Sequence, residues 1–414
     1  MLSNNDSYSK KTKRGGFKIL LVAQTETGQK ITLLERYSYD YYQALKETKF
    51  YCPICKGKLI LKVGVKNIAH FAHEPQSSCA CEYERETPYH LEGKKGLYRW
   101  LEKQTKVKME EYLPSISQRP DLFLPASHIA IEFQCSALSL EALRKRNKGY
   151  YRLNITPLWI LSAKRFRRNT KGSLKVSYNE WKFLQPPVSH SSPYLLYYCP
   201  NFSRFTIVSD IIAFSPTSVF ATVSYYSTAS LSLHSLFHPR YSKASFFVPW
   251  VIKKGEWRMK YALYPKNPYA PLLKLLYTNH IPPSHFPSEA GLPVKSGYFI
   301  ESHSCVWQLY ILLDHFLPQK RNCIIHYETI LKQFKRRIQS RHVKLRELPM
   351  ITKGSFEDAL KEYLRLLSTV GFITEIETNC FLINRMWTTM PIHKHPIDGD
   401  YQIMNKLQLK QQKG

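Results

Sequence analysis

Apolar and polar positions divide the first half of the chain into stretches of different period. Near the start, the apolar segment Phe17–Ala23 (FKILLVA), a turn at Thr25–Gly28 and a second apolar run at Ile31–Leu34 predict a hairpin. Farther on, Leu59, Leu61 and Val63 alternate with Lys58, Ile60 and Lys62, the period of a strand. Residues 87–105 (TPYHLEGKKGLYRWLEKQT) carry a helical stripe at Leu91, Leu97, Trp100 and Leu101. Thr87 suits the cap of that helix and Pro88 its first turn. Strand patterns follow at Lys106–Leu113, Arg119–Leu124 and Ile129–Ser136, the last two joined by a short turn around Pro125–His128. Ser139–Arg152 reads as a helix and Ile155–Ser162 as a strand, so the order is helix, three strands, helix, strand. That is an α/β core, within a chain that is α+β overall.

Beyond the breaker-rich stretch Gln185–Pro193 (QPPVSHSSP) the pattern changes. Residues 194–300 are rich in Tyr, Phe, Ser and Pro, with strand signals such as Val219–Tyr226. Aromatic side chains among cations can stack bases, but the pattern alone favours ordinary core. Helices are predicted around Val306–Phe316, Tyr327–Arg337 and Phe356–Leu367, followed by a hairpin turning at Thr378-Asn379. Helices ahead of a hairpin, here over 303–388, resemble a winged-helix arrangement within a mixed region.

Charge narrows the partners. The 414 residues include 60 Lys and Arg against 31 Asp and Glu, a net charge of +29. Such an excess repels itself unless a polyanion shares the space, and the basic residues recur along the whole chain. That spread fits a broad phosphate-contacting surface better than a lipid-binding tail. The first residues lack the apolar stretch of a secretory signal. The most apolar run, Val306–Leu317, is too short to span a bilayer and contains Gln308, Asp314 and His315. A cytoplasmic protein is expected.

Nine cysteines are present, four of them within Cys52–Cys81, which suits a metal site better than a disulfide framework. Cys52-Pro-Ile-Cys55 followed by Lys56-Gly57 has the form of a zinc knuckle: the tight turn aims both sulfurs at one ion. Two more ligands are needed, from among His70, His73, Cys79 and Cys81, and we take His73 and Cys79. Four protein ligands leave no open position, so this zinc would be structural.

In the strand Ile129–Ser136 the period of two sends Ile129, Ile131, Phe133 and Cys135 one way and Ala130, Glu132 and Gln134 the other. A carboxylate and an amide in so apolar a strand call for a partner, since charges are rarely buried unpaired. Asp121 lies on the neighbouring strand and can approach Glu132 across the pair. Two carboxylates held together repel unless a cation intervenes, and Mg²⁺ or Mn²⁺ suits these oxygens. The following helix is strongly basic, with Arg144, Lys145, Arg146, Lys148 and Arg152.

The element order and these residues resemble the PD-(D/E)xK, or restriction-endonuclease-like, nuclease fold. More closely, the chain resembles the competence protein CoiA family. The resemblance rests on CPIC followed by HFAH, then HLEGK, RPD, IAIEFQCS, the Arg-rich helix with Tyr150, and PLWILS. It covers roughly residues 17–165 closely and the remainder loosely. It implies Asp121 and Glu132 as ligands of a catalytic metal and adds Glu86 and His90 near that metal. The third motif position, usually Lys, is Gln134, an amide able to orient water but without a positive charge. Lys94, Arg119, Arg144, Arg146 and Tyr150 are then the candidate contacts to the DNA backbone.

The domains expected are 1–85, a β-hairpin with a zinc-ribbon-like region; 86–184, the nuclease-like core; and 185–414, the mixed C-terminal region. The function implied is a competence-associated, Mg-dependent deoxyribonuclease acting on incoming, single-stranded DNA, beside DNA-uptake or recombination proteins, peripheral to the membrane machinery. The alternative is a non-catalytic DNA-binding or recombination-accessory factor on a nuclease-derived fold.

Overall fold

A computed structural model describes residues 19–34, 37–64, 68–74, 79, 87–169, 172–187, 192–237, 246–263, 266–384 and 396–411. The chain divides into two units. The first comprises residues 1–136 and 145–158, and the second residues 137–144 and 159–414.

The first unit opens with short strands β1 (Ile19–Leu20), β2 (Val22–Gln24), β3 (Lys30–Thr32), β4 (Phe50–Tyr51), β5 (Lys58–Lys62) and β6 (His70–His73). They form one antiparallel sheet in the order β1-β6-β5-β4-β2-β3. Of the predicted hairpin, the inner part is β2–β3, turned at Gly28, whose φ of 81° suits a residue without Cβ; Ile19–Leu20 of its first arm instead pairs with β6, and residues 17–18 lie outside the described residues. Helix α1 (Tyr39–Lys46), capped by the Ser38 side chain, lies between β3 and β4 in sequence. Leu20, Phe50, Leu59 and Phe71, all buried, share one side of the sheet by register.

Helix α2 (Pro88–Glu102) begins where the cap residue predicts, with Thr87 Oγ1 accepting from the His90 N–H. Its buried face carries Leu91, Gly93, Leu97, Trp100 and Leu101, and with them His90 and Lys94. Strands β7 (Lys108–Met109), β8 (Leu122–Leu124) and β9 (Ile129–Gln134) follow as an antiparallel meander, with Met109 paired to Leu122 and Leu122 to Ile131. All six residues of β9 are buried, so both of its faces are covered. Burying side chains such as Ile131 and Phe133 stabilises by about 1.5–3 kcal/mol each. Strand β7 is far shorter than the predicted Lys106–Leu113, because Glu110 takes a left-handed conformation at φ 51° and ends the pleat. Helix α3 (Leu140–Arg152) and strand β10 (Thr156–Ser162) complete the helix, three strands, helix, strand order. The chain passes between the units within each of them.

In the second unit the end of β10 pairs in parallel with β13 (Leu195–Cys199), Leu161 opposite Tyr197. Before it come β11 (Arg167–Arg168) and β12 (Leu174–Lys175). After it, the long strands β14 (Arg204–Ala213) and β15 (Ser218–Ser227) continue the sheet, in the order β11-β12-β15-β14-β13-β10. The remainder is largely helical: Phe247–Lys260, Ala270–Thr278, Ser304–Ile311 with a wider turn over Leu312–Phe316, Tyr327–Gln339, Phe356–Thr369 and Pro396–Gln411. Strands Ile324–His326, Cys380–Ile383 and Ile373–Glu377 form a separate small sheet in that spatial order, its hairpin turning at Thr378 and Asn379. The helices at 247–260, 270–278 and 396–411 have no counterpart in the sequence reading. The last is fastened by charge: Asp400, fully buried, accepts from Arg258 Nη2 at 2.7 Å and lies 2.8 Å from Lys254 Nζ.

Candidate functional site

Two constellations stand out in the first unit. The first gathers Cys52, Cys55, His73 and Cys79, whose ligand atoms all lie within 4.8 Å of one another. Cys52 and Cys55 come from the turn between β4 and β5, His73 from the end of β6. The turn closes through the Lys56 N–H donating to Cys52 O at 3.0 Å, and Lys56 takes the left-handed φ of 57° this requires. The Ile54 and Gly57 N–H groups donate to the Cys52 and Cys55 sulfurs at 3.5 and 3.4 Å. A Cβ at Gly57 would lie 3.3 Å from Cys55 Sγ. His73 Nε2 approaches Cys55 Sγ to 3.4 Å. Thiolates on one tetrahedral zinc sit about 3.8 Å apart for Zn–S bonds of about 2.3 Å, so this spread suits that ion. Burial, reinforced by the Cys79 and Cys52 thiols, pushes the Cys55 thiol up to about 11, a cost that a bound cation would remove. The cluster is therefore consistent with structural zinc, with His73 and Cys79 as the completing pair. Cys81, among the candidates, lies outside the described residues.

The second constellation is polar and buried beneath α2, β8 and β9. Asp121 immediately precedes β8, and the Leu122–Ile131 register sets it level with Glu132. Its Oδ2 accepts the Phe133 N–H at 2.8 Å and lies 3.3 Å from His90 Nε2, while Oδ1 lies 3.8 Å from Lys94 Nζ. Burial pushes the Asp121 carboxyl up, but His90, then Lys94 and the Phe133 N–H, outweigh it and hold the group well below the usual carboxylate range. Glu132 accepts from the Tyr150 hydroxyl and lies 2.8 Å from Arg146 Nη2, both supplied by α3. Burial, then the Glu132 charge, drives the Tyr150 hydroxyl well above its ordinary value, so Tyr150 remains a donor.

Sequence reasoning missed a third carboxylate. Glu110 is buried, accepts from Lys94 Nζ at 2.5 Å and lies 3.3 Å from Arg119 Nη1. Its other oxygen accepts the Leu21 N–H at 3.1 Å, tying the core to the first sheet of the same unit. Burial opposes its ionisation, and Arg119 and Lys94 overcome that, leaving its pKa lowered. The visible signal was a carboxylate in the apolar-flanked segment KVKMEEYL, which five residues separate from RPD.

Three carboxylates thus face Lys94, Arg119 and Arg146, with His90 alongside. The protein itself supplies the cations that the sequence argument asked of a metal. Gln134 turns its amide inward, donating to Ser136 O at 3.1 Å and to Ser136 Oγ at 3.3 Å. Arg144 belongs to the second unit, where it pairs with Glu347 at 3.4 Å. Glu86 lies outside the described residues. Among the described residues, the only group of three or more His, Cys, Asp or Glu close enough to hold an ion is the Cys52–Cys79 cluster.

An α/β core with carboxylates and cations buried at the centre of its meander, preceded by a Cys₃His sheet, defines a protein with a nuclease-like domain. Residues 86–241 match the family model of the competence protein CoiA nuclease-like domain, residues 34–82 its N-terminal domain and residues 248–396 its C-terminal domain. Over 354 residues the chain is 30% identical to the competence protein CoiA of Bacillus subtilis (strain 168), spanning 83% of this chain and 92% of that protein. The chain belongs to the competence protein CoiA family. No solved structure matches it. No helix among the described residues is long and apolar enough to cross a membrane.

Proposed function

We propose that the chain processes incoming DNA during competence, with the polar cluster of the first unit as a phosphodiesterase centre of the restriction-endonuclease-like type. The observation that carries this reading is Asp121, a carboxylate held ionised in a buried site between His90 and Lys94. Asp121 and Glu132 are hard oxygen donors of the kind Mg²⁺ or Mn²⁺ takes, and they would hold such an ion. The ion would lower the pKa of a bound water and neutralise phosphate charge. Lys94 and Arg146, which neutralise these carboxylates in the free protein, are the cations that a DNA phosphate would engage. Arg119 keeps Glu110 ionised beside Lys94, and Tyr150 orients Glu132. Single-stranded DNA in the cytoplasm, near uptake or recombination proteins, is the expected setting.

A second reading has a specific observation behind it. Gln134 stands where a nuclease of this type carries lysine, and its amide is committed to Ser136. A protein that binds DNA on this fold without cutting it would look the same. The order of helices and strands over 303–384 also supports a winged-helix-like module, with Glu375 and Glu377 on its hairpin favouring a protein partner there over phosphate.

The test is cleavage of single- and double-stranded DNA with Mg²⁺ or Mn²⁺ by wild type, Asp121→Asn and Glu132→Gln, with salt-dependent DNA binding as the folding control. Cleavage lost in both variants with binding kept supports the catalytic reading. Binding by a wild type that never cleaves, under either ion, establishes the second.

A further inference from the structure

The second unit carries aromatic rings that its core does not use. Phe202, at the end of a short 3₁₀ turn ahead of β14, is 73% exposed, and Tyr225 on β15 is 44% exposed. Single exposed aromatics are ordinary, but these two share their cations. The Arg204 guanidinium lies over both rings, 5.0 Å from the Tyr225 centroid and 5.7 Å from that of Phe202. Arg168 lies 5.7 Å from Tyr225 as well. Strand register explains the grouping: Tyr225 is opposite Thr206, two residues and therefore one side-chain repeat along from Arg204. Phe166, packed edge-on against Tyr225 and against buried Tyr197, anchors the Tyr225 ring from one side. Phe166 itself sits inside Lys164–Arg168 (KRFRR), four cations in five positions. Neither Arg168 nor Arg204 forms an ion pair among the described residues; their guanidinium groups lie over ring faces.

We propose that this surface, Phe202, Arg204, Tyr225 and Arg168, binds single-stranded DNA by stacking bases on the two rings while the arginines take the phosphates. The proposal rests on the DNA-handling reading above and adds a binding site in the second unit. Stacking needs an unpaired base with a free face, which a duplex withholds and a single strand offers. A guanidinium lying over an aromatic ring keeps its outward N–H donors for phosphate oxygens, so cation and ring serve one nucleotide together. An acidic peptide would meet the arginines, but its carboxylates offer no extended aromatic face to stack on the rings.

The experiment uses the full chain and a labelled oligothymidylate, its RNA counterpart oligouridylate and a DNA duplex, with affinity followed across salt concentrations. Phe202→Ala and Tyr225→Ala each weaken oligothymidylate binding about 5- to 150-fold, without changing the salt slope or duplex binding. Tyr225→Trp restores the affinity lost in Tyr225→Ala. Arg168→Gln and Arg204→Gln each reduce the slope of log affinity against log salt by about 0.7. Wild-type affinity in both alanine variants overturns the proposal, as does an equal loss on duplex or a loss confined to oligouridylate. A wild type that binds no DNA at all overturns the DNA-handling reading with it.

Discussion

Replacing Gly93 by alanine tests how tightly helix α2 is pressed onto the strand that carries Glu132 and Gln134. A Cβ at this position would lie 1.9 and 2.3 Å from Phe133 ring carbons, against a contact distance of about 3.5–4.0 Å. Phe133 is 1% exposed, with Tyr89 and His90 ring centroids 6.1 and 5.8 Å away, so its ring has no route to solvent. Overpacking of this kind costs about 1–3 kcal/mol, and an overlap this deep belongs at the upper end. Alanine in a helix interior returns about 1 kcal/mol. The net expectation is a loss of about 2 kcal/mol, read as a lower urea midpoint at unchanged slope. Because Asp121 accepts the Phe133 N–H, DNA handling should weaken along with stability. Phe133→Leu makes room, so the double variant should lose less than the two single variants summed, by about 1 kcal/mol or more. Wild-type stability in Gly93→Ala, or simple additivity in the double variant, would mean that α2 is not pressed onto the Phe133 ring.

Asp400→Ala leaves Arg258 and Lys254 facing each other in a buried pocket without their shared carboxylate. Breaking such a network costs about 3–5 kcal/mol, and a loss below about 1 kcal/mol in thermal or urea unfolding would show that the last helix is not held there. The purified protein should carry zinc close to one equivalent per chain by elemental analysis, and Cys52→Ser or a strong chelator should remove it and lower the melting temperature. Unchanged zinc content in Cys52→Ser would sink the Cys₃His assignment.

Much of the first unit can be read without coordinates, because its signals are local. The Thr87-Pro88 start of α2, the CPIC knuckle and the alternation along β9 each depend on residues a few positions apart. Alternation tells which residues of β9 share a face, but not what covers that face. Glu132 meets Arg146 and Tyr150, 14 and 18 residues onward, which only the return of α3 brings near. Glu110 escaped notice for a different reason: a glutamate at φ 51° looks in sequence like one more strand residue. In the second half the period of the aromatics is uninformative, since Tyr197 and Tyr225 both alternate on strands while one is buried and the other exposed. The closing helix hides behind Gly399 and a polar face, its one buried carboxylate being visible only through Lys254 and Arg258.

The path of the chain through α3 and β10 has a consequence for how the protein is made. Residues 1–136 emerge first, yet their unit is completed by residues 145–158, after a short excursion into the other. Until those residues leave the ribosome, the nascent β9 has its glutamate but neither the arginine nor the tyrosine that neutralises it. A strand apolar on one side and carrying a carboxylate with no partner on the other is a poor substrate for early collapse. Maturation of the carboxylate cluster is therefore tied to the arrival of α3, and no single cut in the chain separates the two units intact.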